Sequence, residues 1–199
     1  MISYLSECIA DLYIRRNIIL ENEKNVYKCG VELILNETFT FLLVIFFSAI
    51  IGKFIFAVEF LTVFCFTRIF CGGFHAKTTS VCRMTMILTF FEVWIFSELL
   101  EGTKTYIIYL ILFASFIVLL PLIPVKHPNK KMSEEIRRKN KIRGIFAYVF
   151  FSVCAIIMFT LEHRQSGLII ALSLVSVSVL AIVGTFTCRG GEKNEEIYR

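Results

Sequence analysis

The sequence predicts an all-α polytopic membrane protein with about six transmembrane helices, preceded by an amphipathic N-terminal helical region. The first observation behind this is composition: 57% of the 199 residues are hydrophobic, 21 are Phe, and only 19% are charged. A soluble domain has about 25% charged residues. The second observation is that apolar residues cluster into runs of the roughly 17–25 residues that cross a bilayer as a helix. These features exclude an ordinary soluble enzyme and a disordered chain.

The seven cysteines do not indicate a disulfide-stapled secreted module. Their number is odd and they are scattered through apolar segments, whereas a disulfide framework needs paired cysteines. No cleavable signal peptide is recognisable, because the first 30 residues carry both signs of charge and no apolar run. The net charge of +5 is assigned to membrane orientation and to contact with membrane lipids, and no nucleic-acid partner is expected.

Residues 1–30 are predicted to form an amphipathic segment on the cytoplasmic or interfacial side. Apolar residues recur at roughly helical spacing, at Ile2, Leu5, Ile9, Leu12 and Ile19. Basic side chains in the same segment are suited to contact anionic lipid headgroups. Two interpretations stay open: the helix packs on its own protein, or it docks the substrate.

Six spans are predicted between residues 33 and 188, within a single integral membrane domain covering 1–199. In chain order they are Leu33–Ile51, Phe54–Thr67, Met84–Leu100, Tyr106–Leu122, Ile145–Leu161 and Leu168–Cys188. Gly52 and Lys53 divide the first long apolar run into a hairpin. Pro121 stops the fourth span, because proline disrupts a helix interior. Residues 189–199 are predicted to form a cytoplasmic tail.

Basic residues between the fourth and fifth spans predict the orientation. A loop over residues 126–143 contains eight of them: Lys126, Lys130, Lys131, Arg137, Arg138, Lys139, Lys141 and Arg143. Cytoplasmic loops carry an excess of Lys and Arg, so this loop is expected in the cytoplasm. Counting spans in both directions then places both termini and the polar segment 68–83 on the cytoplasmic side of the cell membrane.

The segment from Arg68 to Arg83 differs from the apolar sequence around it. It holds a histidine, two cysteines, cationic side chains and a Gly pair between two spans, and polar groups at membrane depth are costly enough to indicate function. His75 and Cys82 are a candidate base and nucleophile, because an imidazole activates a thiol as thiolate. On one straight helix they would lie about 10 Å apart, so the chain is expected to fold back between them.

Local features of the segment favour that fold-back. Gly72 and Gly73 permit unusual backbone angles, and the Thr-Thr-Ser run that follows is suited to cap a new helix. Cys82 would then lie in the first turn of the third span, where the helix dipole, Lys77 and Arg83 would favour its thiolate. Free N–H groups in the same turn would serve as an oxyanion hole.

Two alternatives use some of the same residues. A zinc site made of Cys65, Cys71, His75 and Cys82 is disfavoured, because the CxxC spacing of common structural sites is missing, so no metal or other cofactor is expected. A small non-enzymatic transporter or export subunit would instead line a polar path with the charged residues of the spans. Those residues are Lys53, Glu59, Arg68 and Glu92. A transporter does not need the pair of His75 and Cys82, which distinguishes the two hypotheses.

The motif Arg68-x3-Gly72-Gly73-Phe74-His75-Ala76-x5-Cys82 resembles the signature of the accessory gene regulator B (AgrB) family. These are membrane-embedded cysteine endopeptidases of peptide quorum sensing, and the resemblance extends over nearly the whole chain. It implies that His75 and Cys82 are catalytic, with supporting positions at Arg68, Gly72, Gly73 and Lys77. Glu59 and Glu92 are the candidates to orient His75.

The resemblance also implies a substrate, an AgrD-type precursor peptide with an amphipathic leader, a Cys-containing core and an acidic tail. Cys82 would release the tail, leaving an acyl-enzyme thioester that the substrate's own cysteine captures as a thiolactone. The basic loop over 126–143 would attract the acidic tail, or serve only as a topogenic and lipid-contacting loop. The small size of the chain is compatible with a homodimer.

Overall fold

The fold is all-helical over residues 2–16, 18–72, 79–124 and 133–197, the part of the chain that the computed structural model describes, with side chains described as far as residue 186. Within these ranges a short 3-10 turn at Glu21–Glu23 and seven α-helices follow one another. The helices are α1 (Ile2–Arg15), α2 (Lys24–Ile50), α3 (Phe54–Cys71), α4 (Thr79–Leu99), α5 (Thr105–Leu119), α6 (Glu134–Thr160) and α7 (Arg164–Ile197).

The predicted polytopic membrane fold is confirmed, with a difference in one span. Five helices are long and apolar enough to cross a membrane: α2, α3, α4, α6 and α7. The fourth predicted span, Tyr106–Leu122, forms only the 15-residue helix α5, about 22 Å long, against a hydrocarbon core of about 30 Å. The helix ends at Leu119, and the N–H of Leu120 still donates to the carbonyl of Phe116. Pro121 follows and has no N–H with which to continue this pattern.

Helix α7 lies at the centre of the bundle. Two thirds of its most apolar stretch is buried, and it packs against α3, α4, α5 and α6. The buried face is rich in small side chains, namely Gly167, Ala171, Ser173, Ser176, Ser178 and Ala181. Small residues let membrane helices approach closely, where van der Waals packing holds them together.

Aromatic packing joins α3 to α4. The buried Phe90 of α4 lies edge-on to Phe56 and Phe60 of α3, with both ring centroids 5.7 Å away. Phe60 in turn stacks on Phe64 at 5.1 Å. Edge-to-face and offset-stacked pairs are the favoured ring arrangements. These ring contacts hold together α3 and α4, the two helices on either side of residues 73–78.

Three tight turns meet at one end of the bundle. The turn after α2 places Lys53 Nζ 2.8 Å from Glu98 Oε1 of α4, and Gln165 of α7 donates to the same carboxylate. The guanidinium of Arg164 donates to the backbone carbonyls of Leu100, Glu101 and Thr103. Gly52 turns the first hairpin with φ of 70°, as its predicted hairpin role requires. The end of α3 at Cys71 and the start of α4 at Thr79 therefore lie at the opposite end of the bundle.

The predicted loop over 126–143 is helical from Glu134 onward, which corrects the sequence-based boundary. Ser133 caps α6 by accepting a hydrogen bond from the N–H of Ile136, and Glu134 and Glu135 lie in the first turn, where the helix dipole favours them. Lys139 pairs with Glu135 one turn earlier at 2.7 Å. Most of the basic residues thus lie on a helical extension of about 15 Å.

Helix α1 packs on its own protein, which was one of the two interpretations left open. It runs antiparallel to the first turns of α2, with Lys28 Nζ 2.9 Å from Glu7 and Lys24 Nζ 2.5 Å from Asp11. The buried residues of α1 are Ser6 and Ala10. Of the predicted apolar stripe, Leu5 and Leu12 are exposed, Ile2 and Ile9 are half-buried, and Ile19, which follows α1, is buried. The small side chains of Ser6 and Ala10 allow α1 and α2 to lie close together.

The tightest helix crossing near the polar segment is at Gly144 of α6. A Cβ atom there would lie 3.2 Å from Cys71 Sγ of α3 and 3.2 Å from Ile123 Cγ2. The glycine therefore allows α6 to pass against the end of α3 and the chain after α5. It fixes where α3 ends relative to α6.

We predict that Gly144→Val lowers the free energy of unfolding by about 1–3 kcal/mol, because its branched side chain overpacks this crossing. Thermal unfolding in detergent measures the change. Gly30→Val is the matched helical control, since a Cβ at Gly30 meets no described atom within 4 Å. Equal melting temperatures for the two variants would contradict the assigned crossing.

Candidate functional site

The end of α3 is set by Gly72. Its φ of 73° and ψ of −170° lie in a region that residues with a side chain avoid. Its N–H donates to the carbonyl of Arg68 at 3.0 Å, which closes the last helical turn. Gly72 thus ends α3 and turns the chain out of the helix, as expected of the Gly pair. Gly73, His75 and Lys77 lie outside the described residues.

Cys82 lies at the start of the next helix. Because α4 begins at Thr79, Cys82 is its fourth residue, at the end of the first turn. The first four N–H groups of a helix have no acceptor within that helix, and Cys82 contributes one of them. Its side chain is half-buried. A thiol and several N–H groups that have no acceptor within α4 therefore lie together at the beginning of the helix.

The side chain that reaches Cys82 from another helix is that of Arg68. Its Nη2 donates to Cys82 Sγ at 3.8 Å, and its guanidinium also lies over the ring of Phe64, 5.5 Å from the centroid. The contact places a cationic donor beside the sulfur. Arg68 and Cys82, fourteen residues apart in sequence, are thus brought together from both sides of the polar segment.

Arg83, which the sequence analysis placed beside the thiol, turns to α2 instead. Its Nη2 donates to Asn36 Oδ1 at 3.2 Å, and its guanidinium lies over the ring of Phe39 at 5.3 Å. Successive residues on a helix point about 100° apart, so Cys82 and Arg83 face different neighbours. Sequence reasoning missed Asn36; an amide side chain within an apolar run was the available signal.

Cys71 has a structural environment. It is fully buried, and its thiol lies 3.8 Å from the carbonyl oxygen of Gly144, to which it donates. Cys65 is partly buried within α3. Within the described residues no group of three or more His, Cys, Asp or Glu side chains is arranged to hold a metal ion.

The two candidate orienting acids lie far from Cys82 along their helices. Glu59 precedes Arg68 by nine residues, about 13 Å of helix, and accepts a hydrogen bond from Ser166 at 2.9 Å. Glu92 follows Cys82 by ten residues, about 15 Å, and its side chain is exposed. Both acids therefore lie away from Cys82, and His75 itself lies outside the described residues.

An apolar groove of about 630 Å³ lies between α3 and α6 and does not belong to this site. Phe66, Phe70, Phe146 and Phe150 line it, with Arg143 near the start of α6. Phe66 and Phe70 project from α3 on the side opposite Arg68, because positions two residues apart differ by about 200°. The groove is therefore separated from Cys82 by the body of α3.

Comparison with known families gives a match over most of the chain. A family model described as Accessory gene regulator B matches residues 6–183. The chain belongs to the accessory gene regulator B family. No curated protein and no solved structure matches it significantly. The resemblance noted from the motif around His75 and Cys82 is therefore confirmed at the level of the family.

AgrB membership implies the role of a peptidase that processes an AgrD precursor in quorum sensing. A precursor peptide is the corresponding substrate, and the helices describe a multi-pass membrane protein. The matched region contains most of α1, all of α2 to α6 and most of α7. It therefore includes both the packed N-terminal helix and the helices that carry Arg68 and Cys82.

We predict that Cys71→Ser retains most of the peptidase activity, because the serine hydroxyl is also able to donate to the carbonyl of Gly144. Release of the C-terminal tail from a co-expressed AgrD-type precursor, read by mass spectrometry, measures this. Thermal unfolding of the same variant reports whether the protein is intact. Loss of activity in a stable Cys71→Ser protein would indicate that Cys71 is the nucleophile or a metal ligand.

Proposed function

We propose that this AgrB protein is a cysteine endopeptidase in which Cys82 is the nucleophile and His75 the general base. The protein would remove the acidic C-terminal tail of an AgrD-type precursor and close the remaining core into a thiolactone. The observation that supports this best is the contact between the guanidinium of Arg68 and the Cys82 sulfur at the start of α4. A cation and free N–H groups at one thiol suit acyl transfer.

The first half of the proposed reaction forms an acyl-enzyme. His75 takes the proton of the Cys82 thiol, and the thiolate attacks the carbonyl carbon of the last core residue. Backbone N–H groups at the start of α4 would stabilise the oxyanion of the tetrahedral intermediate. As the C–N bond breaks, His75 returns the proton to the leaving amine. The acidic tail departs and the core is held as a thioester on Cys82.

The second half transfers the acyl group to the substrate's own cysteine. Its thiolate attacks the thioester carbonyl, the bond to Cys82 breaks, and Cys82 leaves as thiolate, ready to take up a proton. One thioester replaces another, so the exchange is close to thermoneutral and hydrolysis by water would compete. The apolar helices around the thiol would help exclude water from the intermediate.

We further propose that the site faces the cytoplasm. The exposed basic side chains on the first turns of α6, Arg138, Lys139, Lys141 and Arg143, support this by the excess of positive charge in cytoplasmic segments. They lie at the same end of the bundle as Cys82, opposite the three tight turns. An acidic substrate tail would be attracted to that end.

The transporter hypothesis gains little from the geometry. Lys53 is paired with Glu98, Glu59 accepts a hydrogen bond from Ser166, and Glu92 is exposed on α4. Arg68 lies at the other end of α3, beside Cys82. The four residues do not line one passage, so a shared polar path is disfavoured.

We predict that Cys82→Ser and His75→Ala each abolish tail release, because the first removes the thiolate and the second its base. Mass spectrometry of a synthetic AgrD-type precursor incubated with reconstituted protein measures truncated and cyclised products. Trapping of a precursor adduct on Cys82 in the wild-type protein is the positive signature. Truncated product from either variant would refute the assigned roles.

Orientation has its own prediction. In intact cells a membrane-impermeant maleimide should label Gly102→Cys, which lies in the exposed turn between α4 and α5, and should not label Lys139→Cys. Permeabilised cells should label both. The native Cys8, which is exposed, is the internal control and should react only after permeabilisation. The reverse pattern would invert the orientation.

A further inference from the structure

We propose that Asn36 is a positioning residue for the Cys82 thiol and acts through Arg83. The inference deepens the proposed function, on which its kinetic readout depends. Nothing in the motif from Arg68 to Cys82 points to α2. The connection comes from a hydrogen bond between helices that are 47 residues apart in sequence.

Asn36 is built into α2 as an acceptor. Its side chain is only 8% exposed, and its Nδ2 donates to the carbonyl of Glu32 at 2.8 Å. That bond fixes the amide plane and leaves Oδ1 for Arg83, whose Nη2 approaches to 3.2 Å. The amide is thus held in one orientation, with its oxygen toward α4.

Arg83 makes this contact a strong constraint on α4. A guanidinium among apolar helices is costly unless its charge has partners. The described partners are the Asn36 oxygen and the ring of Phe39, 5.3 Å from the guanidinium carbon, and both lie on α2. These two contacts of the guanidinium therefore set the rotation of α4 relative to α2.

Cys82 immediately precedes Arg83, so the same rotation sets the direction of its thiol. The two side chains point about 100° apart around the helix, and when Arg83 meets α2, Cys82 meets Arg68 of α3 at 3.8 Å. Losing the Asn36 oxygen would free Arg83 to seek another acceptor. The first turn of α4 would then rotate and withdraw the thiol from Arg68.

The direct test is the rate at which iodoacetamide alkylates Cys82 in the reconstituted protein, read by mass spectrometry of the Cys82 peptide. Asn36→Leu should slow this reaction about 10-fold, since the thiolate is the reactive form and the withdrawn thiol would lose its contact with Arg68. Arg68→Met should slow it equally, and adding Asn36→Leu to Arg68→Met should change nothing further. The exposed Cys8 reports general reactivity.

Three further variants separate positioning from stability. Asn36→Asp keeps an acceptor for Arg83 and should restore the alkylation rate. Asn36→Leu combined with Arg83→Met removes both partners and should recover the melting temperature while Cys82 stays slow. Thr40→Val is the matched control, because the buried Thr40 hydroxyl donates only to the carbonyl of Asn36 within α2. It should leave Cys82 unchanged.

The kinetic readout uses the synthetic AgrD-type precursor. Asn36→Leu should lower kcat about 10- to 100-fold, the scale expected of a misplacement of about 1 Å, with little change in KM. Wild-type alkylation at Cys82 in Asn36→Leu, or an equal loss in Thr40→Val, would overturn the proposal. If the wild-type protein fails to cleave the precursor, the proposed function fails, and the alkylation series still decides the role of Asn36.

Discussion

Guanidinium groups among apolar helices need partners for their charge, and two of them shape the end of the bundle that carries the polar segment. Arg68 extends from α3 to the sulfur of Cys82, and Arg83 extends from α4 to the amide of Asn36. Each also lies over a phenyl ring of its surroundings. These contacts connect α2, α3 and α4 at this end of the bundle, and the direction of the Cys82 thiol depends on both of them.

The rest of the bundle supplies a rigid frame for this arrangement. The buried, small-residue face of α7 joins four helices, and Arg164 and Lys53 tie the tight turns together at the opposite end. A reactive group held on such helices keeps its geometry better than one held on loops alone.

The sequence predicts the fold well because long apolar runs in a bilayer permit little besides helices. Gly52-Lys53 marks its hairpin for the same reason, since the polar pair interrupts such a run. The predicted loop over 126–143 was wrong from Glu134 onward, because exposed charged residues occur both in loops and in solvated helices. The hydrogen bond that caps α6 at Ser133 shows where the helix begins. The hydrogen bond between Arg83 and Asn36 could not be predicted from the sequence. It depends on how α4 is rotated relative to α2, which is set by the packing of the whole bundle.

Gly72 shows that a motif position is not always there for its chemistry. With φ of 73° and ψ of −170°, its backbone is the mirror image of ordinary extended chain, a conformation natural to a D-amino acid. The fold requires a backbone conformation of the opposite hand at this point, and glycine is the only genetically encoded residue that is achiral. Any L-residue would be strained at this position, whatever the chemistry of its side chain.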